Sequence, residues 1–486
     1  MRESFASCSA ARRCDSRPAA RSVTAPTFRR EMPVFLAAVA RGNTRRSLPI
    51  LAALLAATSL GAQSPAPRRL SLVDAVLLAA GENSGVATAH DRARQADARI
   101  RQRRADLLPS VTAAAVQSGR TFNTATLGFA FKSPNGVPLF NPDGQVEGPV
   151  NTTDIRARLS QPLLDLGALA RLRASEDAAS AVATEGDLAA EQSATAAAHA
   201  YVRALRAQAQ VGARLVDSSL AAELLDIAAQ QLQAGVGILL DVTRARSQAA
   251  LIRAQLLASR HDRDRALVEL ARATGLPADA PIELADSLEQ LSMTVERRNG
   301  DLSAALARRP ELHTLDAQRA AAVSTEQALR RERLPILSAF ADHGPIAGAS
   351  GSYLRTYTWG LQLSVSLFDG FRRDGRIDEQ VALLHEFDTR RHDLARQVGL
   401  DAKAADDDLL AAQEQLTVAR ERVTLAEQEL TQARDRFLAG AAGNADVVTA
   451  LLTLNSARTL VIDALSAWHT ARIGRAAALG EARAIR

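Results

Sequence analysis

The sequence predicts a mainly α-helical chain that also carries membrane β-barrel strands, built twice in tandem. Three observations predict it. Aromatic residues are only 3% of 486 residues while hydrophobic residues are 47%, which suits long, closely packed helices better than a compact globular core. The stretch "YTWGLQLSVSLF" (357–368) alternates an apolar face with a small polar one, as a lipid-facing barrel strand requires. Two distant stretches, "QLQAGVGILLDV" (231–242) and "RFLAGAAGNADV" (436–447), repeat one helix break, and repetition of that kind reports a duplicated architecture.

The first element, residues 1–62, reads as an N-terminal extension and signal peptide. Residues 1–46 hold ten arginines against three acids, while the whole chain is only +5, so the remainder is slightly acidic. The high pI belongs to the extension, and a basic surface for nucleic acid loses its support. "RGNTRR" (41–46), the apolar "LPILAALLAATSL" (48–60) and "GAQ" form a leader with cleavage near Ala62. Met32 competes with Met1 as its start. Both cysteines, Cys8 and Cys14, fall inside it. The mature chain is therefore expected to have no disulfide, thiolate nucleophile or lipid-anchoring cysteine. Beyond the leader no run of about 18 apolar residues appears, so a membrane crossing must use strands.

Two units follow, 63–286 and 287–486. Each opens with a helical pattern, 70–111 broken at "NSGV" and 301–337 broken at "RPEL". Leu-Pro at 108–109 and 334–335 stops each helix, because proline removes a donor and pushes the preceding residue toward extended geometry. Strand pairs come next. In 357–368, Tyr357, Trp359, Leu361, Leu363, Val365 and Leu367 share one face. In 153–165, Ile155, Ala157 and Leu159 oppose Arg156, Arg158 and Ser160. Their weaker partners are 110–118 and 336–344, joined to them by Gly-, Asn- and Pro-rich connections.

Leu-Leu-Asp (163–165) and Leu-Phe-Asp (367–369) end the strands and launch helices that run to Gly235 and Gly440, about 100 Å at 1.5 Å per residue. Leu416, Val423, Leu430 and Phe437, with Ala419, Ala426 and Ala433, recur every seventh position. Such a seam supercoils left-handedly, and alanine lets helices approach closely. Leu225/Leu232 and Ala221/Ala228 echo it in unit one. Return helices then start at Val242, Ala245, Ala249, Ile252 and Leu256, and at Val447, Leu451, Leu454 and Val461. The repeated break is the tip of a long helical hairpin.

The order "LSLVDAVLLAAGENSGV", Leu-Pro, Leu-Leu-Asp, "QLQAGVGILLDV", "RPEL", Leu-Pro, Leu-Phe-Asp, "RFLAGAAGNADV" resembles the TolC outer-membrane efflux family from Leu70 to about Ala482. The resemblance implies a homotrimer in the lipid of the bacterial cell outer membrane, reaching into the periplasm. Four β-strands per protomer would complete a 12-stranded barrel, and the coiled-coil hairpins would form a periplasmic α-barrel. It further implies an exit duct of a tripartite efflux or type I secretion system, passively conducting what an inner-membrane pump delivers through a periplasmic adaptor (a membrane fusion protein). Four strands are too few to close a barrel, which independently requires association.

In that reading the tips are the periplasmic mouth. Ala234, Gly235, Gly237, Ala439, Gly440 and Gly443 would allow an adaptor's hairpins to approach closely, although glycine ends helices regardless of partners. Asp241 and Asp446 fall where an acid serves as a helix N-cap or offsets the N-terminal dipole. The resemblance adds a pore role for Asp446, a threefold carboxylate ring favouring cations. Two positions depart from the family: Thr449 replaces a frequent second acid, and Ala442 stands where an arginine commonly locks the closed tip.

No catalytic constellation emerges. The eight histidines are dispersed, His385 and His392 lack HExxH spacing, and the Gly-rich "GPIAGASGS" precedes a strand rather than a helix. The expectation is no enzyme, no cofactor and no metal. The rival reading, a soluble periplasmic coiled-coil adaptor or structural protein, would need one hairpin between lipoyl-like β segments, whereas this chain has two hairpins and paired barrel-type strands. The cargo is not encoded in any motif.

Overall fold

The computed structural model describes residues 68–127, 132–137, 144–291, 293, 302–348, 351–439, 441 and 443–485; the expected signal peptide, Gly440 and Ala442 lie outside them. In chain order the elements are β1 (Arg68–Leu70), α1 (Leu72–Glu82), α2 (Ser84–Ala105), β2 (Ser110–Asn123), β3 (Val146–Leu164), α3 (Leu166–Gln233) and α4 (Leu239–Thr274). The second half follows with β4 (Ile282–Leu284), α5 (Leu302–Leu306), α6 (Pro310–Arg331), β5 (Ile336–Ala347), β6 (Tyr353–Ser364), α7 (Arg372–Leu438) and α8 (Asn444–Ala478). Residues 65–486 form one compact unit, so the two repeats are halves of a single body.

Local chemistry sets the boundaries. Ser71 and Asp74 form a reciprocal capping box at the start of α1, each side chain accepting from the other's backbone N–H at 3.2 Å. Asn83 breaks α1 from α2 and caps the latter, accepting from Gly85 N–H at 2.8 Å. Pro310 opens α6, where its missing donor costs nothing. Asp165 caps α3, accepting from Ala168 N–H at 2.7 Å. The second copy is built differently: Phe371 precedes α7 in the left-handed region (φ 62°), and Asp369, two residues further out, accepts from Arg373 backbone N–H at 3.3 Å and from its Nε at 2.7 Å.

The long helices α3 and α7 have 68 and 67 residues, about 100 Å each. The return helices α4 and α8 have 36 and 35 residues and cover only the tip-side half. The strand-side half is covered by α2 and α6, 22 residues each. Packing gives the order α2–α3–α6–α7 near the sheet and α4–α3–α8–α7 near the tips, with α4 and α7 on opposite flanks of the tip-side half. The heptad positions are the seam: Leu416, Ala419, Ala426 and Phe437 are buried, and Val423, Leu430 and Ala433 pack against them half-buried. Among the described helices, α8 alone is long and apolar enough to cross a membrane by composition. It is instead packed along α7 and α3.

Where the half-length helices meet, a core gathers Leu70, Tyr201, Leu205, Leu270, Leu288, Leu465 and Ile473 from both repeats. The Tyr201 hydroxyl lies 2.7 Å from Asp286 Oδ2 and 2.9 Å from Leu70 O, and Leu72 N–H donates to the same Asp286 oxygen at 3.0 Å. This knot fixes a parallel pair of three-residue strands, β1 and β4, which sequence patterning does not foresee.

The remaining strands form one antiparallel sheet in the order β2-β3-β5-β6. They are offset from the expected segments. β2 continues to Asn123, β3 starts at Val146 rather than 153, and β6 spans Tyr353–Ser364, leaving Val365 and Leu367 beyond it.

Candidate channel wall and docking tips

The register of the sheet sorts its side chains into two faces. Tyr357, Trp359, Leu361 and Leu363 of β6 pair with His343, Ala341, Ala339 and Leu337 of β5. Ala341 pairs onward with Leu159, and Leu159 with Val111. Paired residues share a face, so one face is an almost continuous apolar surface. It is open: Tyr357 is 73% and Trp359 76% exposed.

The opposite face is charged. Arg156 on β3 reaches Asp342 on β5 at 2.8 Å and Asp154 at 3.1 Å, and its neighbour Arg158 lies over the Phe340 ring at 5.2 Å. An apolar face toward lipid and a polar face toward water is the pattern of a barrel wall. β2 and β6, at the two ends of the sheet, each present an unpaired edge.

At the first tip, Gly235 adopts φ +73°, Val236 N–H donates to Gln231 O at 3.0 Å and Gly235 N–H to Leu232 O at 3.1 Å. This double bond is a Schellman stop, which requires a left-handed residue. Gly237 is constrained by space instead: a Cβ there would sit 3.0 Å from Gln231 and Leu232 backbone atoms. At the second tip Ala441 N–H donates to Arg436 O at 2.9 Å, the equivalent bond. Ala234 and Ala439 close the two long helices. Gly443 has open space around it and an extended backbone, φ −81°.

The expected N-caps need correction. Ile238 and Gly443 occupy the capping positions and offer no side-chain cap, while Asp241 and Asp446 stand inside the first turn. There their effect is on the helix dipole. The two acids differ in surroundings. Asp241 lies 4.0 Å from Arg244, and its carbonyl accepts from Asn444 Nδ2 at 3.0 Å. Asn444 is fully buried, so this bond ties the two tips of one chain together. Asp446 is exposed, and among the described residues it has no ion pair. Thr449 is also exposed and donates to Ala445 O at 2.9 Å.

Two features of this region are not seen in the sequence. The first tip carries an exposed apolar rim, with Val236 at 80% and Leu239 at 67% exposure beside Ile238 and Leu240. The run "ILL" before Asp241 is its signal in the sequence. Further up, the hairpins are joined by a buried polar cluster. Asp217 on α3 accepts from Arg214 Nη1 at 2.9 Å and from Arg458 Nη1 on α8 at 3.0 Å. Arg214 also reaches Thr459 at 2.7 Å. Burial pushes the Asp217 carboxyl up, opposed by those two guanidiniums.

A family model described as outer membrane efflux protein matches residues 76–276 and 302–481, one segment in each repeat. The alkaline protease secretion protein AprF of Pseudomonas aeruginosa is 33% identical over 190 residues, 35% of this chain and 37% of that protein. The matched segment thus spans little more than a third of that relative. The solved CmeC outer membrane channel of Campylobacter jejuni superimposes with a TM-score of 0.68 at 16% identity, covering 85% of this chain and 86% of that one. The outer membrane protein VceC of Vibrio cholerae gives 0.65 at 19% identity, covering 84% and 96%.

Proposed function

Because the chain belongs to the outer membrane efflux protein family, we propose that it is an outer-membrane exit duct of a tripartite efflux or type I secretion system. The observation that carries this is the open four-stranded sheet, apolar on one face, charged on the other and unpaired at both edges, leading within a few residues into helices of 68 and 67 residues. A sheet of that width cannot close on itself. Three copies would complete a 12-stranded barrel in the outer membrane, with the hairpins continuing it as a tunnel into the periplasm. Transport along the duct is assigned as passive, with the inner-membrane pump supplying the energy. Members of the family work with a periplasmic adaptor and an inner-membrane pump, and those are the partners assigned here. The adaptor reading is set aside, since the family match runs through both hairpins and both strand pairs.

The tips are assigned to adaptor docking, supported by the exposed rim at Val236–Leu240 and the small residues at Ala234, Gly235, Gly237, Ala439, Gly440 and Gly443. Asp446, unpaired and exposed, is assigned to a ring at the mouth. The similar proteins include a protease secretion protein and outer membrane channels, and selection of the cargo is assigned to the pump.

Gly443 offers the cleanest test of docking, because neither its backbone nor its surroundings demand glycine. Gly443→Trp should leave outer-membrane levels and thermal stability unchanged while export by a strain relying on this duct falls. Undiminished export with a normally inserted protein would sink the docking assignment.

A further inference from the structure

The two flanks of the tip-side helical layer carry complementary rows of charge. On α4, Arg246, Arg253 and Arg260 recur at every seventh position, all exposed, and among the described residues none has an ion pair. On α7, Glu414, Glu421, Gln428 and Asp435 recur with the same period, again exposed and unpaired. Leu239 and Leu267 flank the arginines in the first row with no acid among these positions, and from Glu414 to Asp435 no lysine or arginine falls in the second. Some other charges on these helices are paired within the chain, Arg434 with Glu223, Glu427 with Arg458 and Arg265 with Glu269, whereas the two rows face away from those partners. A seven-residue period is how one helix tracks a single neighbour, yet α4 and α7 already bury their other faces, against α3 and α8.

We propose that these rows meet between copies of this chain: α7 of one copy packs antiparallel against α4 of the next, and an arginine–carboxylate ladder sets the register of the helical ring. The proposal rests on the duct reading above and adds the surface by which the ring closes. The heights agree. α4 starts at a tip and α7 ends at one, and the Asn444–Asp241 bond keeps the two tips level. Rotation about an axis along the duct preserves that level between copies. At 1.5 Å per residue, Asp435, Gln428, Glu421 and Glu414 stand about 4, 15, 26 and 36 Å above the end of α7, while Arg246, Arg253 and Arg260 stand about 10, 21 and 32 Å above the start of α4. Each arginine falls within about 6 Å of an acid in height, inside the reach of its side chain.

Apolar positions accompany the charges. Val418 and Leu425 adjoin the acidic row and are 63% and 58% exposed, and Leu251, 47% exposed, lies beside Ala254 on α4. On helical wheels set side by side and antiparallel, these residues face one another on one side of the seam and the charges on the other. Burial then supplies adhesion, and the ladder supplies partner choice and register, the usual division in coiled coils.

The test uses the full-length chain with Cys8→Ser and Cys14→Ser, extracted from outer membranes. Ala254→Cys together with Leu425→Cys, mild oxidation and denaturing electrophoresis should give covalent dimers and trimers, with neither single cysteine doing so beyond dimers. A trimer by native mass spectrometry that shows no cross-linked ladder would overturn the seam and leave the duct intact; a monomer would overturn both. In parallel, Arg253→Glu and Glu421→Arg should each lower trimer recovery, and the double reversal should restore it. Additive losses in the double variant would also overturn the ladder.

Discussion

His469 sits on α8 in the core where the two repeats interlock. Its Nε2 lies 3.0 Å from Leu288 O, which can only accept, so Nε2 carries the proton and buried Nδ1 is left without a partner. Burial holds its pKa down to about 4, against roughly 6.5 for an exposed imidazole. The folded chain therefore keeps the ring neutral where the unfolded chain protonates it. That contribution to stability is complete above roughly pH 6.5 and is lost as pH falls toward about 4. Thermal melts of the extracted protein at pH 5 and pH 7 should differ less for His469→Gln than for the parent chain; an equal difference would remove His469 as the cause. Asp446 carries a second expectation. If three copies ring the mouth, Asp446→Asn should lower the cation preference of single channels in planar bilayers and weaken block by multivalent cations, while unchanged selectivity would place the constriction elsewhere. The tip was legible in the sequence because glycine and a repeated break leave a local signature. The bond from Asn444 to Asp241 was not, since it joins residues from different repeats that only tertiary packing brings together.

At the scale of elements, β6 is the sharpest test of the wall. Trp359 lies on the apolar face and Gln362 on the other. Trp359→Arg should cost roughly 2–4 kcal/mol of insertion if it sits near the bilayer midplane, read as lost outer-membrane recovery, whereas Gln362→Arg should insert normally. Equal recovery of both variants would contradict the assignment of faces. The sequence showed this alternation plainly in β6 and in the Ile155–Ser160 part of β3. It concealed the start of β3, because "VEGPVN" contains the Gly and Pro that ordinarily mark loops. Pairing with β2, where Phe122 faces Glu147 and Asn123 faces Val146, extends the strand regardless. β1 and β4 escaped notice for another reason: three residues are too few to show a period, and their pairing depends on Tyr201 and Asp286. The long helices were readable throughout, since a heptad seam sustained over many turns is the strongest periodic signal a chain carries.

Residues 65–486 form one body made of two repeats, yet that body is incomplete in two places at once. The sheet ends in unpaired edges at β2 and β6, and the tip-side helical layer ends in the unpaired charged flanks of α4 and α7. Exposed edges invite pairing, and in the proposed trimer a single rotation would both pair the sheet edges and set α7 beside the next α4. The apolar outer face, the charged inner face and helices of about 100 Å then become the wall and the length of a single duct. The central claim is that three copies share one barrel, and the most direct measurement is the mass and symmetry of the detergent-extracted particle by native mass spectrometry with electron microscopy. The account predicts a trimer with threefold symmetry and one continuous channel; a monodisperse monomer, or a ring of any other number, would contradict it.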